Sequence, residues 1–219
     1  MFSRIADRYD IVNGMLSLGI DSHWRSVAVA EALHGLGECA ILDVATGTGG
    51  VALAIASSTP GARVFAMDAN DDMLSLAARK AERAGITRVV FETGDAHDLA
   101  YPDESFDAVV CGFGVRNFKD VGRYADEKNR DLKKGGRFVL LDMAMPSGRI
   151  ISAFFSAYFG AVGVLGSLID ALAYGWLFSS IRNFDKRALA ATLDSKQFKN
   201  VKTRDLFPGI AFIVTGEKA

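Results

Sequence analysis

The apolar residues of this chain follow two rhythms, and the alternation between them predicts the architecture. From Ile41 to Asp142 short apolar runs, "AILDV", "ARVFAMD", "RVVFETGD", "FDAVVCGFG" and "RFVLLDM", are separated by longer stretches whose apolar residues recur at helical spacing. Runs of buried-strand length joined by helical crossovers predict an α/β fold with a parallel sheet. The crossover "DDMLSLAARKAERAG" ends on Gly85, and "VGRYADEKNRDLKKGG" reads as a helix ending on Gly135 and Gly136, glycine being a common residue just past a helix. "HWRSVAVAEALHGLG" predicts a helical N-terminal cap beside the first strand. After the core, "DKRALAATLDSKQF" predicts a helix, and "NVKTRDLF" and "IAFIVTG", joined at Pro208-Gly209, predict a C-terminal hairpin. The expectation is one domain over 1–219: a helical cap (1–38), a ligand-binding core (39–145), an apolar helical region (146–185), and a C-terminal helix and hairpin (186–219).

One stretch breaks the rhythm. Residues 151–169, "ISAFFSAYFGAVGVLGSLI", lie in a segment with no charge between Arg149 and Asp170. Its length reaches the ~20 residues of a membrane-spanning helix. Three glycines, Gly160, Gly163 and Gly166, weaken an isolated helix there, and a span would part the last two strands from their sheet. The expectation is a mobile helical lid over the carboxyl edge of the sheet, with a core helix pair as the alternative.

Composition narrows the function classes. The residues are 50% hydrophobic and 23% charged with a formal net charge of -1, which gives no overall electrostatic pull toward nucleic acid. Cys39 and Cys111 are the only cysteines, too far apart and without histidine spacing for a zinc site, so neither a disulfide framework nor a metal is expected. A reducing, cytoplasmic location fits. The start, "MFSRIADRYD", carries charges where an export signal would have its apolar core.

The chemistry concentrates at strand ends. "DVATGTGG" follows the first strand and opens a helix, so Gly47 and Gly49 permit a tight turn and close backbone approach to a ligand. Gly47, Gly49 and Ala52 also satisfy the dinucleotide spacing, which is weak evidence alone. Asp43, directly before the loop, disfavours a pyrophosphate and favours a cationic ligand, which points to S-adenosylmethionine. Asp68 ends the second strand where a carboxylate can accept from both ribose hydroxyls, and Asp95 follows the third strand, suited to an adenine amino group beside the Ala96 backbone. Any one of these acids could instead be a helix cap or turn residue.

Together, "DVATGTG", "MDAN..ML", "GDA", "FDAVVCGFGVRNF" and "LKKGGRFVLLD" resemble a class I methyltransferase. More specifically, "FSRIADRYDIVNGMLSLGIDSHWR", "GFGVRNF", "YGWLFSSIRNF" and "LFPGIAFIVTGEK" resemble the ubiquinone/menaquinone biosynthesis C-methyltransferase family, and the likeness runs nearly end to end. The resemblance implies a Rossmann-like fold, a seven-stranded mostly parallel sheet whose final hairpin makes one strand antiparallel. It also implies cofactor contact by Thr48, Asp68, Asp95, Ala96 and Gly112, within a wider cofactor set of Asp43, Ala45, Gly47, Gly49, Ala69, Met73 and Phe113. Four positions depart from the family pattern: Gly50 stands where an acid is usual, Gly112 where serine is common, Asp185 for proline and Val214 for histidine.

The implied reaction is methylation of a ring carbon of a polyprenyl quinol, most simply demethylmenaquinol. Another hydrophobic acceptor, or a non-catalytic binding subunit, are the alternatives. Methyl transfer from a sulfonium is an in-line displacement, so alignment and dryness carry most of the catalysis. The quinol needs an oxyanion stabiliser and a base. Arg116, just past the fourth strand, is read as the clamp, with Asn117 orienting it or the quinol; pairing of Arg116 with a nearby acid to tie down the loop is the competing reading. His23 is the tunable base candidate, with Tyr9 and Asp10 as rivals, while Trp24 reads as packing. On the lid, Phe154, Phe155, Tyr158, Phe159, Trp176 and Phe178 would line a route for the polyprenyl tail. Its apolar face would then also meet the membrane surface, or serve as a homodimer interface.

Overall fold

The computed structural model describes Gly14, Ser17 and residues 19–219, with side chains described throughout these except at 164–174. Tyr9 and Asp10 therefore lie outside the described residues. Helix α1 (Asp21–Leu33) precedes strand β1 (Cys39–Val44), which is buried along its whole length. Then come α2 (Gly50–Ser58), β2 (Ala62–Asp68), α3 (Asp71–Arg83), β3 (Val89–Thr93) and β4 (Phe106–Gly112). A 3-10 turn (Val115–Asn117) leads to α4 (Val121–Asp131), β5 (Leu132–Met143) and the apolar α5 (Arg149–Asn183). The chain closes with α6 (Lys186–Asp194), β6 (Phe198–Leu206) and β7 (Ala211–Lys218).

The seven strands run in the order β3-β2-β1-β4-β5-β7-β6. All pairings from β3 to β5 are parallel, and β7 inserts antiparallel between β5 and β6, as the hairpin predicts. β1 and β4 are neighbours in the sheet but far apart in sequence, so the crossovers leave a crevice at their carboxyl ends, where open α/β sheets take ligands. One face of the sheet packs Ile41, Val110 and Val139 against α1, α2 and the inner face of α5; the other packs Leu42, Cys111 and Leu140 against α4 and α6. Both cysteines are free and buried.

Local chemistry fixes the element ends. Asn70 caps α3 by accepting from the amides of Asp72 and Met73, and Gly85 takes the left-handed conformation (φ +67°) just beyond its end. Asp185 caps α6, accepting from the amides of Arg187 and Ala188, which gives this departure from the family pattern a structural use. One boundary differs from expectation. The helix read through Gly135 and Gly136 stops at Asp131, and the glycines lie inside β5, where the register against β4 jumps from Phe106–Leu132 to Ala108–Arg137. A Cβ on Gly136 would sit 2.8 Å from the Lys133 carbonyl oxygen, so these glycines serve a strand bulge rather than a helix end.

The apolar run also resolves. The rings of Phe159 and Phe178 lie 5.1 Å apart, although 19 residues of straight helix would separate them by about 28 Å. The α5 segment therefore doubles back on itself. Phe155 and Phe159 are buried in the core cluster, with Tyr158, Trp176 and Phe178 packed on its rim, so much of the run is core in the manner of a helix pair. Its N-terminal turn points outward, leaving Ile150 87% and Phe154 57% exposed. Among the described residues no helix is long and apolar enough to cross a membrane.

Candidate active site

A cavity of about 610 Å³ opens at the carboxyl ends of β1, β2, β3 and β4, within the range of small-molecule sites. Its walls bring together nine of the residues selected from sequence: Ala45, Gly47, Asp68, Ala69, Met73, Asp95, Ala96, Phe113 and Asn117. The two strand ends that flank it are conformationally unusual. Ala45 after β1 and Phe113 after β4 both have positive φ, 54° and 62°, a conformation that disfavours side chains and turns the backbone sharply at the crevice. Gly114 completes the bend: a Cβ there would lie 2.7 Å from Cys111 Sγ and 2.8 Å from Ala45 Cβ.

Asp68 is half-buried and organises the glycine loop. Its Oδ2 accepts from the Gly47 amide at 2.8 Å and its Oδ1 from the Asn70 amide at 3.0 Å. Loss of water around it raises its pKa despite these bonds. Ionised, a carboxylate has about four lone-pair sites, so Asp68 retains capacity for hydroxyl donors in the cavity. Asp95 is different, with its side chain 67% exposed. Its Oδ1 accepts from the His97 amide (2.9 Å) and faces His97 Nδ1 (2.7 Å), and these bonds hold its pKa below the usual value. Its Oδ2 accepts no hydrogen bond among the described residues.

Asp43 does not reach the cavity. It is buried beneath the loop, where Oδ2 accepts from Thr46 Oγ1 (2.6 Å) and the Ala52 amide (3.0 Å), joining the end of β1 to the first turn of α2. Burial pushes its pKa up to about 7, against the pull of those bonds. Its geometry is that of a loop anchor, in place of the ligand-facing acid expected from sequence. Thr48 and Gly49 are likewise in the loop but off the cavity wall, Gly49 supplying the left-handed residue before α2 (φ 80°). Gly112 is a packing glycine: a Cβ would lie 2.8 Å from Val51 Cγ2. Over Gly50, where an acid is usual, lies the Arg25 side chain, its Nε 3.1 Å from where a Cβ would be.

Arg116 corrects a second expectation. Its side chain is only 4% exposed and turns inward to form an ion pair with Asp142, which is completely buried. Asp142 Oδ2 also accepts from the Arg116 amide at 3.0 Å, and the guanidinium donates to the Phe113 carbonyl at 3.2 Å. Arg116 thus ties the strained 113–117 loop to β5, the competing reading given above, and leaves the cavity wall to its neighbour Asn117. Asn117 Oδ1 is buried and has no hydrogen-bond partner among the described residues. His23 is exposed on the outer side of α1, because Trp24 occupies the inward position and donates from Nε1 to the Phe207 carbonyl at 2.7 Å; a base at His23 is placed out of reach. None of the six lid aromatics lines the cavity, although Phe113, which does, belongs to the same apolar cluster as Phe155 and Phe159. Helix α5 also touches the 115–117 turn.

The sequence reading missed Asn70, Thr93, His97, Phe118 and Lys119 on the cavity wall. His97 and Phe118 flank residues that were selected, and proximity in "GDAHD" and "RNFKD" is the only signal they and Lys119 carried. Among the described residues no cluster of three or more His, Cys, Asp or Glu side chains could hold a metal ion.

Comparison with known proteins bears on the family and the fold. The chain is 41% identical over its whole length to the demethylmenaquinone methyltransferase of Deinococcus radiodurans, covering 91% of it, and 40% identical to that of Thermus thermophilus, covering all of it. Among solved structures, a putative S-adenosyl-L-methionine-dependent methyltransferase from Methanococcus maripaludis superposes with a TM-score of 0.72 over 99% of this chain and 93% of that one, at 18% identity, which speaks to the fold. With the ubiE/COQ5 methyltransferase family model matching residues 1–218, the chain belongs to that family.

Proposed function

We propose that this protein methylates a ring carbon of a reduced polyprenyl quinone, demethylmenaquinol being the first choice of acceptor. It is an S-adenosylmethionine-dependent methyltransferase, and its relatives are named for demethylmenaquinone. The observation that carries the cofactor reading is the pair of carboxylates, Asp68 and Asp95, at successive strand ends in one cavity. The residues present fit an adenosyl group: Asp68 has spare acceptor capacity for ribose hydroxyls, and Asp95 Oδ2 is free for an exocyclic amine beside the Ala96 amide. Gly47, with φ 58°, lets the loop turn at the cavity wall, and Gly114 lets the opposite wall bend over Cys111 and Ala45. When bound, this group supplies an electrophilic methyl.

The residues of the chain then have the acceptor to hold. An oxidised quinone ring is electrophilic, so the acceptor must be the quinol, whose ring carbon becomes nucleophilic as a hydroxyl proton leaves. To Asn117, a polar side chain on the cavity wall, we assign the orienting of that hydroxyl and the ring. Arg116 contributes by holding the Asn117 turn through Asp142. The proton acceptor is assigned to Tyr9, Asp10 or water, since His23 faces outward. The polyprenyl tail leaves past Phe113 along α5 toward the exposed Ile150, Ile151 and Phe154, which would bring this end of the molecule to the membrane surface.

The test is transfer of label from S-adenosylmethionine to demethylmenaquinone, reduced or oxidised, in lipid vesicles. Incorporation with the reduced ring alone is expected. Incorporation into neither, with cofactor binding intact, would refute the acceptor.

A further inference from the structure

His97 belongs to no role assigned above, yet it is held on four sides. Its main-chain amide and its Nδ1 both meet Asp95 Oδ1, at 2.9 and 2.7 Å. Its Nε2 faces the Asp120 amide at 3.4 Å, and its ring lies edge-on to Phe118 with centroids 5.5 Å apart. An amide can only donate, so Nε2 is the acceptor and the ring hydrogen sits on Nδ1, pointing at Asp95. The side chain is 15% exposed, whereas that of Asp95 is 67% exposed. A carboxylate so open to water at a strand end would ordinarily sample several rotamers. Here one oxygen is occupied by two donors of His97, its amide and its ring, the ring itself being fixed to the start of α4, and the other oxygen is left for the cavity.

We propose that His97 is a positioning residue for purine selectivity: by saturating Asp95 Oδ1 it presents Oδ2 as a fixed acceptor for an exocyclic amine, and so selects an adenine over a 6-oxo purine. The inference rests on the adenosyl reading of the cavity. A 6-oxo purine would turn a carbonyl oxygen toward the Asp95 carboxylate and an N1–H toward the Ala96 amide, replacing two attractions by two conflicts. Sites built to bond a group discriminate strongly against its absence because their own polar atoms are left unpaired. Discrimination of that kind depends on the acceptor staying in place, which is the work assigned to His97.

The experiment compares binding of S-adenosylhomocysteine and S-inosylhomocysteine to the full chain by calorimetry, for wild type, D95A, H97A and H97N. The wild type is expected to prefer the adenosyl ligand by about tenfold or more, and D95A to lose that preference. H97A should bring the ratio to about threefold or less, chiefly by weakening the adenosyl ligand, since a mobile Asp95 must be ordered on binding. H97N, whose amide can donate from the place of Nδ1, should restore most of it. An H97A ratio equal to wild type, including an equal loss for both ligands, would overturn the role of His97 alone. So would an H97N as unselective as H97A. No preference in wild type would overturn the adenine assignment of Asp95 and the His97 inference with it.

Discussion

Lys128 lies on α4 with no exposed surface, and its ammonium has no hydrogen-bond partner among the described residues. Its Nζ stands over the Tyr124 ring at 3.8 Å and near that of Phe138 at 4.9 Å. Desolvation lowers its pKa from 10.5 to about 7, against a smaller opposing effect of the Cys111 side chain. The folded value lies below the unfolded one, so between about pH 7 and 10 the unfolded chain binds more protons and stability rises with pH. Holding the lysine buried costs about 5 kcal/mol below pH 7, about 3 at pH 8 and under about 1 at pH 10. Attraction to the two ring faces offsets about 2 kcal/mol of the low-pH figure. Lys128→Met keeps an unbranched side chain that contacts aromatic rings well. Urea denaturation should show K128M more stable than wild type by about 2–3 kcal/mol at pH 6, with the difference falling to within about 1 at pH 10. A variant less stable than wild type at pH 6, or a difference that does not change with pH, would refute the reasoning.

The same physics acts on Asp43 with opposite sign. Its folded pKa of about 7 lies above the ordinary 3.8, so its contribution to stability declines between about pH 4 and 7, by about 4 kcal/mol in all. Asp43→Asn should flatten that decline in thermal melts across the window, while a slope equal to wild type would show the carboxyl is not buried as described. Asp142→Asn leaves the Arg116 guanidinium buried without its counter-charge and should lower stability by about 3–5 kcal/mol, with the added change Arg116→Met restoring part of it. Gly114→Ala forces a Cβ against Cys111 and Ala45 and should weaken S-adenosylhomocysteine binding at least about tenfold, read by calorimetry. Asp68→Asn should weaken the same ligand more than it alters the melting temperature, since a neutral amide still accepts one loop amide.

The parts of this protein that were legible in its sequence are those written locally. The number of strands and their succession along the chain follow from short runs of five to nine mostly apolar residues, and Asp68, Asp95 and the glycine loop from their places at strand ends. What was not legible depends on residues brought together by the fold. Arg116 reads as a free cation until Asp142, on the neighbouring strand, is seen beneath it. Asp43 reads as a ligand-facing acid, because spacing cannot tell which side of a loop a carboxylate takes. The helix through "LKKGG" ends early because β5 must pair with Phe106, and a glycine pair looks the same at a helix end or a bulge. His97 was overlooked because its significance lies in Asp120, on another element.

The insertion of β7 between β5 and β6 bears on how the molecule is made. The strand formed by Ala211–Lys218 follows β6 in the sequence, yet it is an interior strand of the sheet. Until β7 docks, β5 presents an open edge and β6 has no partner, since neither pairs with the other. The strands from β1 to β5 can assemble without it, but the sheet closes only when β7 docks, and the bond from Trp24 to Phe207, just before β7, spans 183 residues. Loss of β7 would therefore expose two strand edges at once, a template for pairing between chains.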